Sequence, residues 1–176
     1  MPENIEIKAR VRDWESLKKK AEEICGSPAE VLKQEDTFFE VKPCRLKLRV
    51  FSDGKGELIY YRKEDIPGPK RSDYQIVPIK HPAKVKALLT KALGIRGTVI
   101  KSRTVYKKEN VRIHLDEVEG LGRFVEIEVV LLSCPDRLQG EKSAKQFMDK
   151  LGIKETDLLE TSYIDMLEKV SVSQKS

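Results

Sequence analysis

Two glutamates, Glu126 and Glu128, stand two positions apart in the stretch FVEIEVV. In an extended chain, residues i and i+2 share a face and lie about 7 Å apart. Two carboxylates side by side repel each other unless a cation joins them, and hard divalent ions such as Mg²⁺ or Mn²⁺ take oxygen ligands. Four other stretches alternate in the same way. NIEIKARV carries Asn4, Glu6, Lys8 and Arg10 on one parity, RLKLRV carries Arg45, Lys47 and Arg49, VIKSRTVY carries Lys101 and Arg103, and VRIHLDE carries Arg112, His114 and Asp116. The opposite parity is hydrocarbon: Ile5, Ile7 and Val11; Leu46, Leu48 and Val50; Val111, Ile113 and Leu115; Val125, Ile127 and Val129. Basic side chains in such numbers suit phosphate oxygens, which accept charge-assisted hydrogen bonds from lysine and arginine.

These side chains need strands to hold them. Period-two alternation and turn residues predict strands over 4–12, 30–41, 44–51, 57–63, 73–79, 98–107, 111–118 and 123–132. A helix is predicted over 14–25, capped by Asp13, with Trp14 on its core face and Gly26 at its end. A second runs over 82–93, opened by Pro82 and followed by Gly94. A third begins at Pro135 and reaches about Leu151, and a fourth covers 157–169. DIPGPKRSD reads as a Pro/Gly-rich loop. The fold class is α+β: an eight-stranded antiparallel β-barrel with helices packed outside, a single domain over 1–169 and a disordered tail over 170–176.

Alternation alone leaves two arrangements open. One is a half-buried antiparallel sheet with a solvated charged face. The other is an inverted barrel, with apolar side chains outward under the helices and a wet, charged tunnel inside that holds a polyanion and its metal. Two features point to the second. The polar face is nearly all charged, where solvent faces usually mix in Thr, Ser and Tyr. The charges also segregate, basic on RLKLRV and IKSR and acidic on FVEIEVV.

The chain has 176 residues, 36% of them charged, and a net charge of +5, which favours anionic partners. Cys25, Cys44 and Cys134 form no CxxC pair, so neither a zinc site nor a disulfide framework is expected, and two histidines in all argue against a histidine metal site. No apolar run is long enough to span a membrane and no apolar signal segment opens the chain, so a cytoplasmic protein is expected. The aromatics do not track the basic strands as a nucleic-acid groove requires, so nucleic acid is not the expected partner. His114 reads as a hydrogen-bonding wall residue.

The segments NIEIKARV, QEDTFFEV with RLKLR, LIYYRKE, GPKRSDY, IKSRTVY, IHLDEVEGLGRFVEIE and TSYIDML, in this order and spacing, resemble the CYTH, or triphosphate tunnel metalloenzyme, family. DEVEGLGRFVEIE is similar to the class IV adenylyl cyclase-like subgroup. The resemblance covers residues 4–168 and implies an eight-stranded tunnel. It implies metal binding by Glu6, Asp116, Glu126 and Glu128, and triphosphate binding by Lys8, Lys47, Arg49, Arg62, Lys101 and Arg103, with Arg62 at a position usually held by lysine. The implied cofactor is Mg²⁺ or Mn²⁺. The implied activity is conversion of ATP to cyclic AMP and pyrophosphate, or hydrolysis of tripolyphosphate, a nucleoside triphosphate or thiamine triphosphate; a homodimer is compatible with it. Asn4 replaces the first glutamate of the ExExK motif, which leaves an oxygen donor for metal or its water but removes a charge. The alternative is a non-catalytic nucleotide- or polyphosphate-binding protein.

Overall fold

The alternation of charge and hydrocarbon is resolved as a barrel turned inside out. The computed structural model describes residues 3–63, 65–131 and 137–175. Its strands are β1 Glu3–Arg10, β2 Glu30–Phe39, β3 Arg45–Phe51, β4 Gly56–Lys63, β5 Lys70–Ile79, β6 Ile95–Lys108, β7 Val111–Val118 and β8 Gly122–Leu131. They close in the order β1-β5-β4-β3-β2-β6-β7-β8, every neighbouring pair antiparallel. The helices are α1 Trp14–Cys25, α2 Pro82–Leu93, α3 Arg137–Leu151 and α4 Tyr163–Lys175. Asp13 caps α1 by accepting the Ser16 amide at 3.0 Å.

The main hydrophobic core lies outside the barrel. Ile5, Ile7 and Ala9 of β1, Ile113 and Leu115 of β7, and Val125, Ile127 and Val129 of β8 pack against Leu17 and Ala21 of α1 and Ala144, Met148 and Leu151 of α3. Helix α3 seats closely because Gly140 faces the strands: a Cβ there would stand 2.6 Å from Leu131 Cδ2 and 3.1 Å from Ile5 Cγ1. Helix α2 lies over β2 and β3, with Pro82 against Gly56 and Leu48 fully buried. Because Ile127 is fully buried in this outer layer, Ile127→Ala is expected to cost about 2–5 kcal/mol in urea unfolding. A cost below about 0.5 kcal/mol, typical of surface sites, would return the apolar parity to solvent.

The segment before α4 closes one end of the barrel. Ala9 bridges Leu158, the Leu159 amide donates to the Lys8 carbonyl at 2.8 Å, and buried Lys70 donates to the carbonyls of Leu159 at 3.2 Å and Glu160 at 3.1 Å. Tyr163 then enters the interior, 5.0 Å from Phe124 between ring centroids, and packs in a second apolar cluster with Phe38, Ile59, Tyr61 and Val99.

Three expectations change, the first being the fourth helix, expected from residue 157, which begins at Tyr163 after a short 3-10 turn over Glu155–Asp157. Residues 70–72, read as loop, belong to β5, where Lys70 and Ser72 pair with Glu6 and Asn4. Residues 170–175, read as a disordered tail, continue α4 to Lys175 with exposed side chains. Cys134 and the helix start at Pro135 lie outside the described residues. Among the described residues no helix is long and apolar enough to cross a membrane.

Candidate functional site

Inside the barrel is a cavity of about 830 Å³. Strand register divides its lining by charge. On β1 and β8, Glu6 lies opposite Glu128 and Lys8 opposite Glu126. On β7, Arg112 lies opposite Glu128 and His114 opposite Glu126. On the far side, Asp36 of β2 faces Arg49 of β3, while Lys101 and Arg103 come from β6. The structure thus brings Asn4, Glu6, Lys8, Lys47, Arg49, Lys101, Arg103, Glu126 and Glu128 onto one cavity.

Each carboxylate of the β1–β8 wall faces a cation. Glu126 is 3.5 Å from Lys8 Nζ, 3.6 Å from Arg103 Nη2 and 3.2 Å from His114 Nδ1. Glu128 is 3.5 Å from Arg112 and 3.7 Å from His114 Nε2, and accepts a hydrogen bond from Asn4 Nδ2. Glu6 is 3.8 Å from Lys63. Burial drives the Glu126 carboxyl upward, but Arg103, the His114 hydrogen bond and Lys8 outweigh it and hold the group well below its usual range. The Glu6 carboxyl is pushed upward: burial acts first, opposed by Lys63, and the nearby carboxylates of Glu126 and Glu128 add to it.

The cationic wall is built on two buried aspartates. Asp36 accepts from Arg49 Nε at 2.7 Å and Nη2 at 2.8 Å, from Lys47 at 2.8 Å, and stands 3.6 Å from Lys101. Burial raises its pKa, yet Lys47, Arg49 and Lys101 together hold it well below the usual range. Asp116 accepts from Arg103 Nε at 2.7 Å and Nη2 at 2.6 Å, and from the Tyr163 hydroxyl at 2.7 Å. Lys8 stands over the Tyr163 ring, 3.9 Å from its centroid. Burial and neighbouring cations lower the lysines: Lys8, next to Lys63, to about 7, and Lys47, next to Arg49, to about 8.

Two residues implied by the resemblance stand elsewhere. Arg62 is exposed on the outward parity of β4, opposite Asp73; Lys63, one residue on, takes the inward place with Ile59 and Tyr61. Asp116 is fully buried and joined to Arg103 and Tyr163 rather than to the glutamates. Asp36, Lys63 and Tyr163 were not among the expected site residues. Parity within QEDTFF and LIYYRK carried a signal for the first two. Tyr163 comes from a helix whose docking no strand pattern encodes.

The metal's donor chemistry fits the β1–β8 wall. Asn4 Oδ1 is buried with no hydrogen-bond partner, on the same strand face as Glu6 and beside Glu128, to which its Nδ2 donates. Among the described residues no three acidic, histidine or cysteine side chains are already gathered around one point, because the carboxylates are turned to their cations.

A protein of Methanocaldococcus jannaschii named as a candidate adenylate cyclase is 22% identical over 170 residues, 92% of this chain and 97% of its own length. The solved structure of the PH1012 protein of Pyrococcus horikoshii is 29% identical with a TM-score of 0.80, covering 92% of this chain and 98% of that one. A candidate adenylate cyclase of Vibrio parahaemolyticus shares the fold, with a TM-score of 0.78 at 17% identity over 94% of this chain and 97% of that one. The sequence model of the CYTH domain matches residues 2–163, and with its charged tunnel built on the expected strands this chain belongs to the CYTH domain family.

Proposed function

We propose that this protein is a divalent-metal-dependent enzyme that acts on a triphosphate inside the barrel, with ATP cyclised to cyclic AMP and pyrophosphate as the first chemistry and hydrolysis of a triphosphate as the second. The observation that carries this reading is the division of one cavity into a carboxylate wall on β1 and β8 and a cationic wall on β3 and β6. Lys47, Arg49, Lys101 and Arg103 hold phosphate oxygens from one side and Lys8 from the other. Glu6, Glu126 and Glu128, with Asn4 Oδ1, hold the metal. Bound Mg²⁺ or Mn²⁺ supplies Lewis-acid polarisation of phosphate oxygens. The cyclase chemistry draws support from the name of the Methanocaldococcus jannaschii relative, aligned over 97% of its length. The free thiols Cys25 and Cys44 suit the reducing cytoplasm.

A second reading, a binder without turnover, is favoured by one observation: each wall carboxylate already faces a cation, and Asn4 brings no charge. Incubation with ATP, tripolyphosphate or thiamine triphosphate and Mg²⁺ or Mn²⁺, followed by product analysis, separates the two. Cyclic AMP with pyrophosphate, or released orthophosphate, is expected. Tight binding of all three without any product would leave the binder.

A further inference from the structure

The two buried aspartates are engaged in the same way. Asp36 and Asp116 lie directly across a strand pair from Arg49 and Arg103, respectively. Each carboxylate grips its arginine side-on, through Nε and Nη2, at 2.6–2.8 Å. Asp36 is 1% exposed and Asp116 not at all. A side-on grip fixes the guanidinium plane and leaves the Nη1 end without a partner. Among the described residues neither Nη1 makes a hydrogen bond, neither is a sealed, unsatisfied atom, and both arginines line the cavity. Free ends of this kind point at a ligand rather than at the fold.

We propose that Asp36 and Asp116 are paired positioning residues that hold Arg49 and Arg103 with their free guanidinium edges toward the phosphates, and that Asp116 is not a metal ligand. This rests on the triphosphate reading above. Both Asp116 oxygens are already engaged by Arg103 and Tyr163, and the residue is fully buried, off the cavity lining that carries Glu6, Glu126 and Glu128. It also holds Arg103 to a loose ion pair with Glu126, whose carboxylate is 3.6 Å from Nη2; released, Arg103 would close on that carboxylate of the metal wall. Asp36 has a further consequence for charge. It is the anion shared by Lys47, Lys101 and Arg49. Removing it also frees Lys47 and Lys101, a smaller loss that does not pass through Arg49.

Two double-mutant cycles test this, with calorimetric titration of tripolyphosphate at pH 6, below the values near 7 and 8 of Lys8 and Lys47. Arg49→Ala is expected to weaken binding about 10–150-fold, the value of a hydrogen bond to a charged group. Asp36→Asn is expected to weaken it about 5–20-fold in wild type and no more than about threefold in the Arg49→Ala background, because it acts through that arginine. Asp116→Asn is expected to behave likewise against Arg103→Ala, and in that background to leave the Mn²⁺-induced rise in melting temperature unchanged. If Arg103→Ala does not fold, Arg103→Lys replaces it, since lysine keeps the charge but cannot be gripped side-on. Equal losses in both backgrounds, as general loosening of the fold would give, overturn the proposal. So does tighter binding by Asp36→Asn, or a smaller Mn²⁺ response when Asp116→Asn is added to the Arg103 variant. Wild-type protein that binds no tripolyphosphate overturns the triphosphate reading and this proposal together; binding with additive cycles overturns this proposal alone.

Discussion

Glutamine at both positions 126 and 128 is expected to abolish stabilisation by Mg²⁺ or Mn²⁺ and all metal-dependent turnover. Wild-type protein at a metal concentration 100 times the Kd should gain about 2.7 kcal/mol by mass action; the double variant should gain nothing. The metal-free variant should also melt lower than wild type. Glu126 is an anion that Lys8, Arg103 and His114 share, and losing a hydrogen bond to a charged group typically costs about 1.5–3 kcal/mol. Repulsion within the glutamate pair is therefore not the dominant force in the empty tunnel; the surrounding cations already relieve it. Asn4→Glu should shift both quantities oppositely. It adds a carboxylate where Asn4 now donates to Glu128, so the metal-free protein loses stability while the midpoint of the metal titration moves to lower concentration. Melting curves against metal concentration for the three proteins are the measurement. A double variant that responds to metal as wild type does would remove the glutamates from the metal site.

Raising the pH from 6 to 9 is expected to weaken tripolyphosphate binding about 10- to 100-fold while stabilising the empty protein. Both follow from the same lysines. Burial and neighbouring cations lower Lys8 to about 7 and Lys47 to about 8, against an unfolded value of 10.5. Below pH 7 both lysines are protonated whether the chain is folded or not, and the native state carries the full penalty of burying them charged. Between about 7 and 10.5 the unfolded chain binds more protons than the folded one, so stability rises with pH across that window. The ligand reverses the preference, because each ammonium donates a charge-assisted hydrogen bond to phosphate and each proton lost removes one. Lys8→Met should remove the limb of the binding profile near pH 7 and leave the one near pH 8. Calorimetric affinities across the range, beside urea unfolding of the free protein, measure both trends. Affinity that is flat with pH would mean that neither lysine contacts the phosphates.

Much of this site is written in parity. In β1, β3 and β8, Glu6, Lys47, Arg49, Glu126 and Glu128 follow from period-two alternation, since a strand has only two faces and the hydrocarbon face must be buried. The same rule extends to Lys63 and Asp36, which share a parity with Ile59 and Gln34; Arg62 was assigned one residue out of step, and a shift of one residue turns a side chain to the other face. Local sequence therefore determined which side chains share a face, that the strands are antiparallel, and that α1 and α3 need an apolar surface to cover. It could not determine which face closes inward, because alternation is the same for a solvated sheet and for a tunnel. Closure of β1 on β8 and β5 decided that, and with it set Glu6 opposite Glu128. Tertiary structure alone also decided the partners of each charge. Asp116 belongs to Arg103 through cross-strand register, and Tyr163 reaches Asp116 and Lys8 from a helix 47 residues further along the chain. Contacts between distant segments depend on how the whole barrel closes, which no local pattern encodes.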